Sequence, residues 1–137
     1  MSPSGDSVAR TRAELHLSQV PPGGDAVVQL RIIVHDSRLV WGVDAVLEER
    51  SGQGWTPLYR LAGGPGDDGE PRTVPISARN ISVPAIGFSG SAPVDVFIPA
   101  LPPGHYRIVK EFSLPVYESQ ETSEPKNTVS SVEFRLS

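Results

Sequence analysis

Short runs in which every second residue is apolar recur along the chain, and prolines and glycines separate them. In the run 13–18, Ala13, Leu15 and Leu17 alternate with polar residues, and this period of two predicts a half-buried strand. Together 14 prolines and 13 glycines make up about a fifth of the 137 residues, which is typical of short strands joined by turns. No stretch of ten or more residues has the 3.6-residue apolar period of a helix. The sequence therefore predicts an all-β protein.

The other runs indicate how the strands are arranged. Residues 45–50 and 55–59 flank the glycine-bearing link 51–54, which predicts a β-hairpin. Residues 37–44 are expected to cross over without a strand, and residues 76–88 to be irregular with one edge strand near Ile81. Further alternating runs cover residues 26–36, 94–98, 106–112 and 132–136. About seven short strands with regular turns predict an Ig-like antiparallel β-sandwich.

Composition limits the class of protein. Residues 1–10 are polar and predict a disordered tail, and residues 11–137 are expected to form one domain. The chain has no cysteine, a formal net charge of -4 and a pI near 5.3. These values exclude disulfides and Cys-ligated zinc, and they argue against a nucleic-acid surface. We expect neither a secretory signal in the first 15 residues nor a membrane span, because no apolar run is long enough.

The stretch LPPGHYRIVKEF, residues 101–112, predicts a tyrosine corner. The turn Pro102-Pro103-Gly104 separates two strand-like runs, and Tyr106 lies just inside the second, five residues after Leu101. In such a corner the phenol donates a hydrogen bond to a backbone group a few residues upstream. The alternation assigns Tyr106 and the apolar residues after it to the inner face. Lys110 shares that face, and we expect it near the end of the sheet.

Several elements of the chain resemble a family of bacterial Ig-like domains found in cell-surface and envelope-associated proteins. These elements are Gly42, Leu47-Glu48, the turn Gly52-Gln53-Gly54 with Trp55, the segment Leu101, Gly104, Tyr106-Arg107-Ile108-Val109-Lys110-Glu111, and the final VSSVEFRLS. The resemblance spans roughly residues 12–137, although the segments 62–71 and 115–127 look bulkier than the family pattern requires. It implies the fold and suggests exposure at the envelope. It implies no catalytic residues and no cofactor.

Candidate catalytic and metal-binding residues do not form a recognisable constellation. The three histidines, His16, His35 and His105, have no metal-ligand spacing and are expected at exposed or turn positions. Glu48 and Glu49 are adjacent on a strand, so their side chains should point to opposite faces and cannot act together on one substrate atom. No G-x-S-x-G motif is present. The sequence therefore predicts a protein that is not an enzyme.

The loops are the predicted sites of partner binding, because recognition residues often lie on loops held by a rigid scaffold. The acidic residues of these loops are Asp67, Asp68 and Glu70 in the first, and Glu118, Glu121 and Glu124 in the second. The first group could instead bind calcium, since hard cations prefer clustered carboxylates. The leading hypothesis is a non-catalytic module that binds a protein partner through these loops or a sheet edge.

Two alternative functions are also compatible with the sequence. A proteinase inhibitor is one, because small bacterial Ig-like inhibitors have a similar L-x-x-G-x-Y turn. A carbohydrate-binding module is the other, because Trp41 and Trp55 could form an aromatic platform. A sandwich commonly buries one tryptophan between its sheets, and we expect Trp41 to be the exposed one.

Overall fold

The fold is an all-β sandwich of two antiparallel sheets, seen in a computed structural model that describes residues 12–62, 71–76, 87–114 and 127–137. The described residues form ten strands and no helix. They are β1 Ala13–Leu17, β2 Gly24–Val34, β3 Val40–Trp41, β4 Asp44–Ser51, β5 Gly54–Ala62, β6 Arg72–Pro75, β7 Phe88–Ser89, β8 Ala92–Ala100, β9 Gly104–Ser113 and β10 Asn127–Leu136.

The two sheets differ in size. The smaller sheet has the order β1-β2-β8. The larger sheet has the order β6-β5-β4-β9-β3-β7, with β10 paired to β9 along its whole length. We call the side of each sheet that faces the other sheet its inner face. All the strand pairs are antiparallel.

The alternating runs form the strands that the sequence predicts, and their apolar residues form the core. On β2 the residues Val28, Leu30 and Ile32 are buried, and Val94, Val96 and Ile98 of β8 are buried opposite them. The predicted hairpin is confirmed: β4 and β5 pair from Ser51 and Gly54 outward, so the turn itself is only Gly52-Gln53. Burying these side chains is the main driving force for folding.

Three short strands are not predicted from the sequence. They are β3, in the segment expected to cross over, β7 and β6. Each has four residues or fewer, which is too short to display an alternating pattern, and each exists because a partner strand supplies its hydrogen bonds. The expected disordered tail, most of the loop 62–71, the edge strand near Ile81 and the loop 115–127 up to its last residue lie outside the described residues.

The predicted tyrosine corner is confirmed. The Tyr106 phenol donates a 2.6 Å hydrogen bond to the Pro102 carbonyl, four residues upstream, and the ring is 0% exposed and stacked on Phe134 of β10. Leu101 is buried beside it. A Cβ on Gly104 would lie 3.3 Å from the Tyr106 hydroxyl oxygen, so the glycine leaves room for the phenol.

Two edge strands of the larger sheet, β10 and β6, lie beside the two edge strands of the smaller sheet. At one edge β10 lies beside β1, and the Ser130 hydroxyl donates a 2.6 Å hydrogen bond to the Ala13 carbonyl. At the other, β6 lies beside β8, and Thr73 donates a 2.5 Å bond to the Phe97 carbonyl. Covered edges offer few backbone groups to another strand.

We predict that Tyr106→Phe lowers the free energy of unfolding by about 1–2 kcal/mol, because the Pro102 carbonyl loses its donor while the ring stays packed. Urea unfolding followed by circular dichroism measures this change. The matched control is Tyr59→Phe, since the Tyr59 side chain is half-buried and its hydroxyl bonds to no described residue. Equal losses in the two variants would contradict a specific role for the corner.

Candidate functional site

The candidate site is a cluster on the outer face of the larger sheet, where four neighbouring strands bring charged and aromatic side chains together. We call it the Trp55 cluster. Its members are Glu48 and Arg50 of β4, Trp55 of β5, His105 and Arg107 of β9, and Glu133 of β10. Most of these residues belong to motifs that the sequence analysis names, but nothing in the sequence groups them into one site, and Trp55 is the tryptophan expected in the core.

Strand register places these side chains on one face. Arg107 is the partner of Glu48 on one side and of Glu133 on the other, and Arg50 is the partner of Trp55 across the hairpin. Directly opposed residues of antiparallel strands point to the same face. A β-bulge between Leu47 and Glu48 shifts the β4–β5 register just before the cluster.

Trp55 packs against cationic side chains. The Arg107 guanidinium lies 4.3 Å from the centroid of the indole ring, and the Arg50 guanidinium lies 5.4 Å from it. The His105 ring meets the indole edge-on at 5.3 Å between centroids. Guanidinium groups are attracted to the electron-rich face of an indole. Trp55 is therefore ordered by its neighbours although its side chain is only half-buried.

Two carboxylates, those of Glu48 and Glu133, orient the side chains of Arg107 and His105. Arg107 Nε donates a 2.6 Å hydrogen bond to Glu48 Oε1, and His105 Nε2 lies 2.8 Å from Glu133 Oε1. The Arg107–Glu48 pair is partly shielded, with side-chain exposures of 28% and 15%. Such a pair orients its members more than it stabilises the fold. The result is a preordered aromatic and cationic surface.

An apolar groove continues the same face. Its volume is about 590 Å³, and it is lined by Val46, Val109 and Val129 together with the carboxylates of Asp44 and Glu111. Val129 is 60% exposed, which is unusual for a large aliphatic side chain in the described chain. The face therefore offers aromatic, cationic and apolar contacts side by side.

The expectation that Trp41 is exposed is wrong. Trp41 is 3% exposed, its Nε1 donates a 3.0 Å bond to the Gly90 carbonyl, and its ring lies 5.0 Å from that of Phe88. Short strands β3 and β7 bring these groups together. Trp41 is therefore the buried tryptophan and Trp55 the partly exposed one, the reverse of the expectation. The two do not form a common platform for a sugar.

Two of the histidines meet at one carboxylate, which the sequence did not predict. His16 and His35 lie 3.1 Å and 2.5 Å from the two oxygens of Glu14 on the exposed side of the smaller sheet. Hydrogen bonds from His35 and then His16 hold the pKa of Glu14 below its ordinary value. Within the described ranges, however, no group of three or more potential ligands could hold a metal ion.

The prediction that the side chains of Glu48 and Glu49 point to opposite faces of the sheet is confirmed. Glu48 joins the Trp55 cluster, whereas Glu49 lines a small pocket at the end of the sandwich beside Tyr106. The acidic loop residues predicted to bind a partner or calcium, namely Asp67, Asp68, Glu70, Glu118, Glu121 and Glu124, lie outside the described residues.

Lys110 is buried within the sandwich, on the inner face of β9 to which the alternation assigns it. It is 3% exposed, and Nζ donates bonds of 2.6 Å and 2.7 Å to the carbonyls of Gly42 and Asp44. The ammonium also lies 5.2 Å from the Trp41 ring centroid. Burial lowers the pKa of Lys110 to about 8, against a smaller opposing effect of the Asp44 charge. A buried lysine of this kind can be catalytic, but here it fastens the β3–β4 link to β9.

Comparison of the chain with protein-family models, with curated proteins and with solved structures finds no match. Across the part of the chain that the structure describes, no helix is long and apolar enough to cross a membrane.

We predict that the stability difference between the wild type and Lys110→Met depends on pH. Between the native pKa of about 8 and the ordinary value of 10.5, the unfolded state binds more protons than the native state, so wild-type stability rises with pH. Between pH 7.5 and pH 9.5 the free energy of unfolding of the wild type should rise by about 1–2 kcal/mol relative to that of the variant. Urea titrations of both proteins at each pH measure the difference. A difference that stays constant or falls over this range would contradict the burial of a charged lysine.

Proposed function

We propose that the protein is a non-catalytic Ig-like β-sandwich module that binds a protein partner through the Trp55 cluster. The observation that carries this proposal is a half-buried tryptophan with two guanidinium groups against its ring, on the outer face of the larger sheet. Tryptophan and arginine are the side chains that most often dominate the binding energy of protein interfaces. Because the side chains of Trp55 and Arg107 are already ordered by their neighbours, a partner that binds them immobilises less than it would on a flexible surface, and the loss of conformational entropy is smaller.

The face is favoured over the sheet edges as the binding surface. The edges β1 and β10 lie beside each other, as do β6 and β8, and a side-chain hydrogen bond joins each pair. An added strand would have to displace these contacts. Among the described residues, the outer face of the larger sheet bears Trp55 at one end and the groove beside the exposed Val129 at the other.

The Ig-like assignment is supported by two features. The two-sheet antiparallel architecture agrees with it, and so does the tyrosine corner, in which the Tyr106 phenol donates a hydrogen bond to the Pro102 carbonyl. The resemblance of residues 101–111 to bacterial Ig-like surface domains favours a role in an envelope-associated protein. Proteinase inhibition and carbohydrate binding are the rival functions, and the burial of Trp41 removes half of the aromatic platform that the second requires.

The chemistry of the face suggests the chemistry of the partner. Within the described chain Arg107 donates hydrogen bonds only through Nε, which leaves the donors of its terminal nitrogens available to a carboxylate. The Arg50 guanidinium also lies near Trp55, 5.4 Å from the ring centroid, and its Nε donates a hydrogen bond to the Gly52 carbonyl. A partner that presents an apolar side chain next to Asp or Glu would complement this arrangement.

We predict that Trp55→Ala weakens binding of the captured partner by about tenfold or more, because loss of an interface tryptophan typically costs at least about 1–2 kcal/mol. The partner is first captured by the wild-type protein and identified by mass spectrometry, and its affinity is then measured with purified components. Val27→Ala is the matched control, since Val27 is 55% exposed on the smaller sheet and should have no effect.

Unchanged affinity of Trp55→Ala, in a variant whose thermal unfolding resembles that of the wild type, would overturn the proposal. Inhibition of a subtilisin-like proteinase to the same extent by the wild type and by Trp55→Ala would also count against it, because it would assign function to a loop instead of the face.

A further inference from the structure

A second pocket lies between the two sheets at the end of the sandwich where the tyrosine corner is located. Its volume is about 310 Å³, near the lower limit of ligand sites, so it suits a small group. The walls are mostly apolar and include Leu58, Pro75, Leu101 and Pro102, with Tyr59 at one side and the Glu49 carboxylate as the single charged group among the described lining residues.

Strand alternation explains why a carboxylate faces this pocket. Glu48 points outward to Arg107, so its neighbour Glu49 points inward, directly opposite Tyr106 of β9. Burial raises the pKa of Tyr106, and the nearby Glu49 charge raises it further, which is consistent with a carboxylate beside the phenol.

Glu49 has no donor among the described residues. The hydrogen of the Tyr106 hydroxyl is committed to the Pro102 carbonyl at 2.6 Å, and no described lysine, arginine or histidine forms an ion pair with Glu49. A carboxylate next to apolar walls is less well solvated than one in open water, so a cation that reaches it gains more from pairing. The pocket therefore combines one negatively charged group with mostly apolar walls.

We propose that this pocket binds a primary alkylammonium group, with the ammonium at the Glu49 carboxylate and the alkyl chain against Leu58 and Leu101. Tyr59 provides an aromatic wall beside the cation. A lysine side chain of another protein and a free aliphatic amine share this chemistry, and both are candidates for the ligand. The pocket is separate from the Trp55 cluster, which lies on the outer face of the same strands, so this proposal does not depend on the proposed protein partner.

The test uses NMR titration of the full chain with three probes. These are n-pentylamine as the free amine, Nα-acetyl-lysine methylamide as the protein lysine, and n-pentanol as an uncharged control. We expect n-pentylamine to shift the backbone amide signals of Glu49, Leu101 and Tyr106 in a saturable manner, whereas n-pentanol should bind at least about tenfold more weakly. Binding of the lysine derivative at the same residues would assign the site to protein lysines, and its failure alongside binding of the amine would assign it to free amines.

Variants separate charge recognition from effects on folding. Glu49→Gln has nearly the same shape and should weaken amine binding about tenfold or more, whereas Glu49→Asp should retain part of it. Glu111→Gln, which changes an exposed carboxylate on the outer face, and Trp55→Ala should leave it unchanged. Equal binding of n-pentanol and n-pentylamine, no binding of either amine probe, or full amine binding by a folded Glu49→Gln would each overturn the proposal.

Discussion

The register of β9 is the constraint on which the rest of the structure depends. The bond from the Tyr106 phenol to the Pro102 carbonyl fixes where this strand begins, and from that point every second residue enters the core. Tyr106, Ile108 and Phe112 are 0% exposed, whereas Arg107 points outward to Trp55. A shift of one residue would exchange the two faces. The same register therefore builds the core and the candidate binding surface.

The two proposed sites follow from this alternation on the neighbouring strand. Glu48 and Glu49 are adjacent on β4 and opposite Arg107 and Tyr106 of β9. The first orders the arginine that covers Trp55, and the second lies in the pocket beneath the tyrosine corner. The core contains one charged group among the described residues, Lys110, and two carbonyl groups compensate for its burial. In the described part of the chain β1 lies beside β10 and β6 beside β8, and we assign recognition to the open face and the end pocket.

The sequence predicts those features that depend on local pattern. Period-two runs identify the long strands, the glycine turn identifies the hairpin, and the spacing of Leu101, Gly104 and Tyr106 identifies the corner. Features that depend on distant pairing were missed. Trp41 lies in a segment without alternation, and its burial depends on Phe88 and Gly90. Lys110 bonds carbonyls 66 and 68 residues away. The Trp55 cluster requires β4 to pair with β9, and nothing local in the sequence indicates that two strands so far apart along the chain are neighbours.

Hydrogen–deuterium exchange of the purified protein, with and without its captured partner, tests the central claim most directly. Partner binding should slow exchange in residues 48–55, in residues 105–107 and around Glu133, because these segments carry the Trp55 cluster on the outer face of the larger sheet. Protection confined to residues 63–70 and 115–126, with exchange in the Trp55 cluster unchanged, would contradict the assignment of partner binding to this cluster. It would instead support binding through the loops predicted from the sequence.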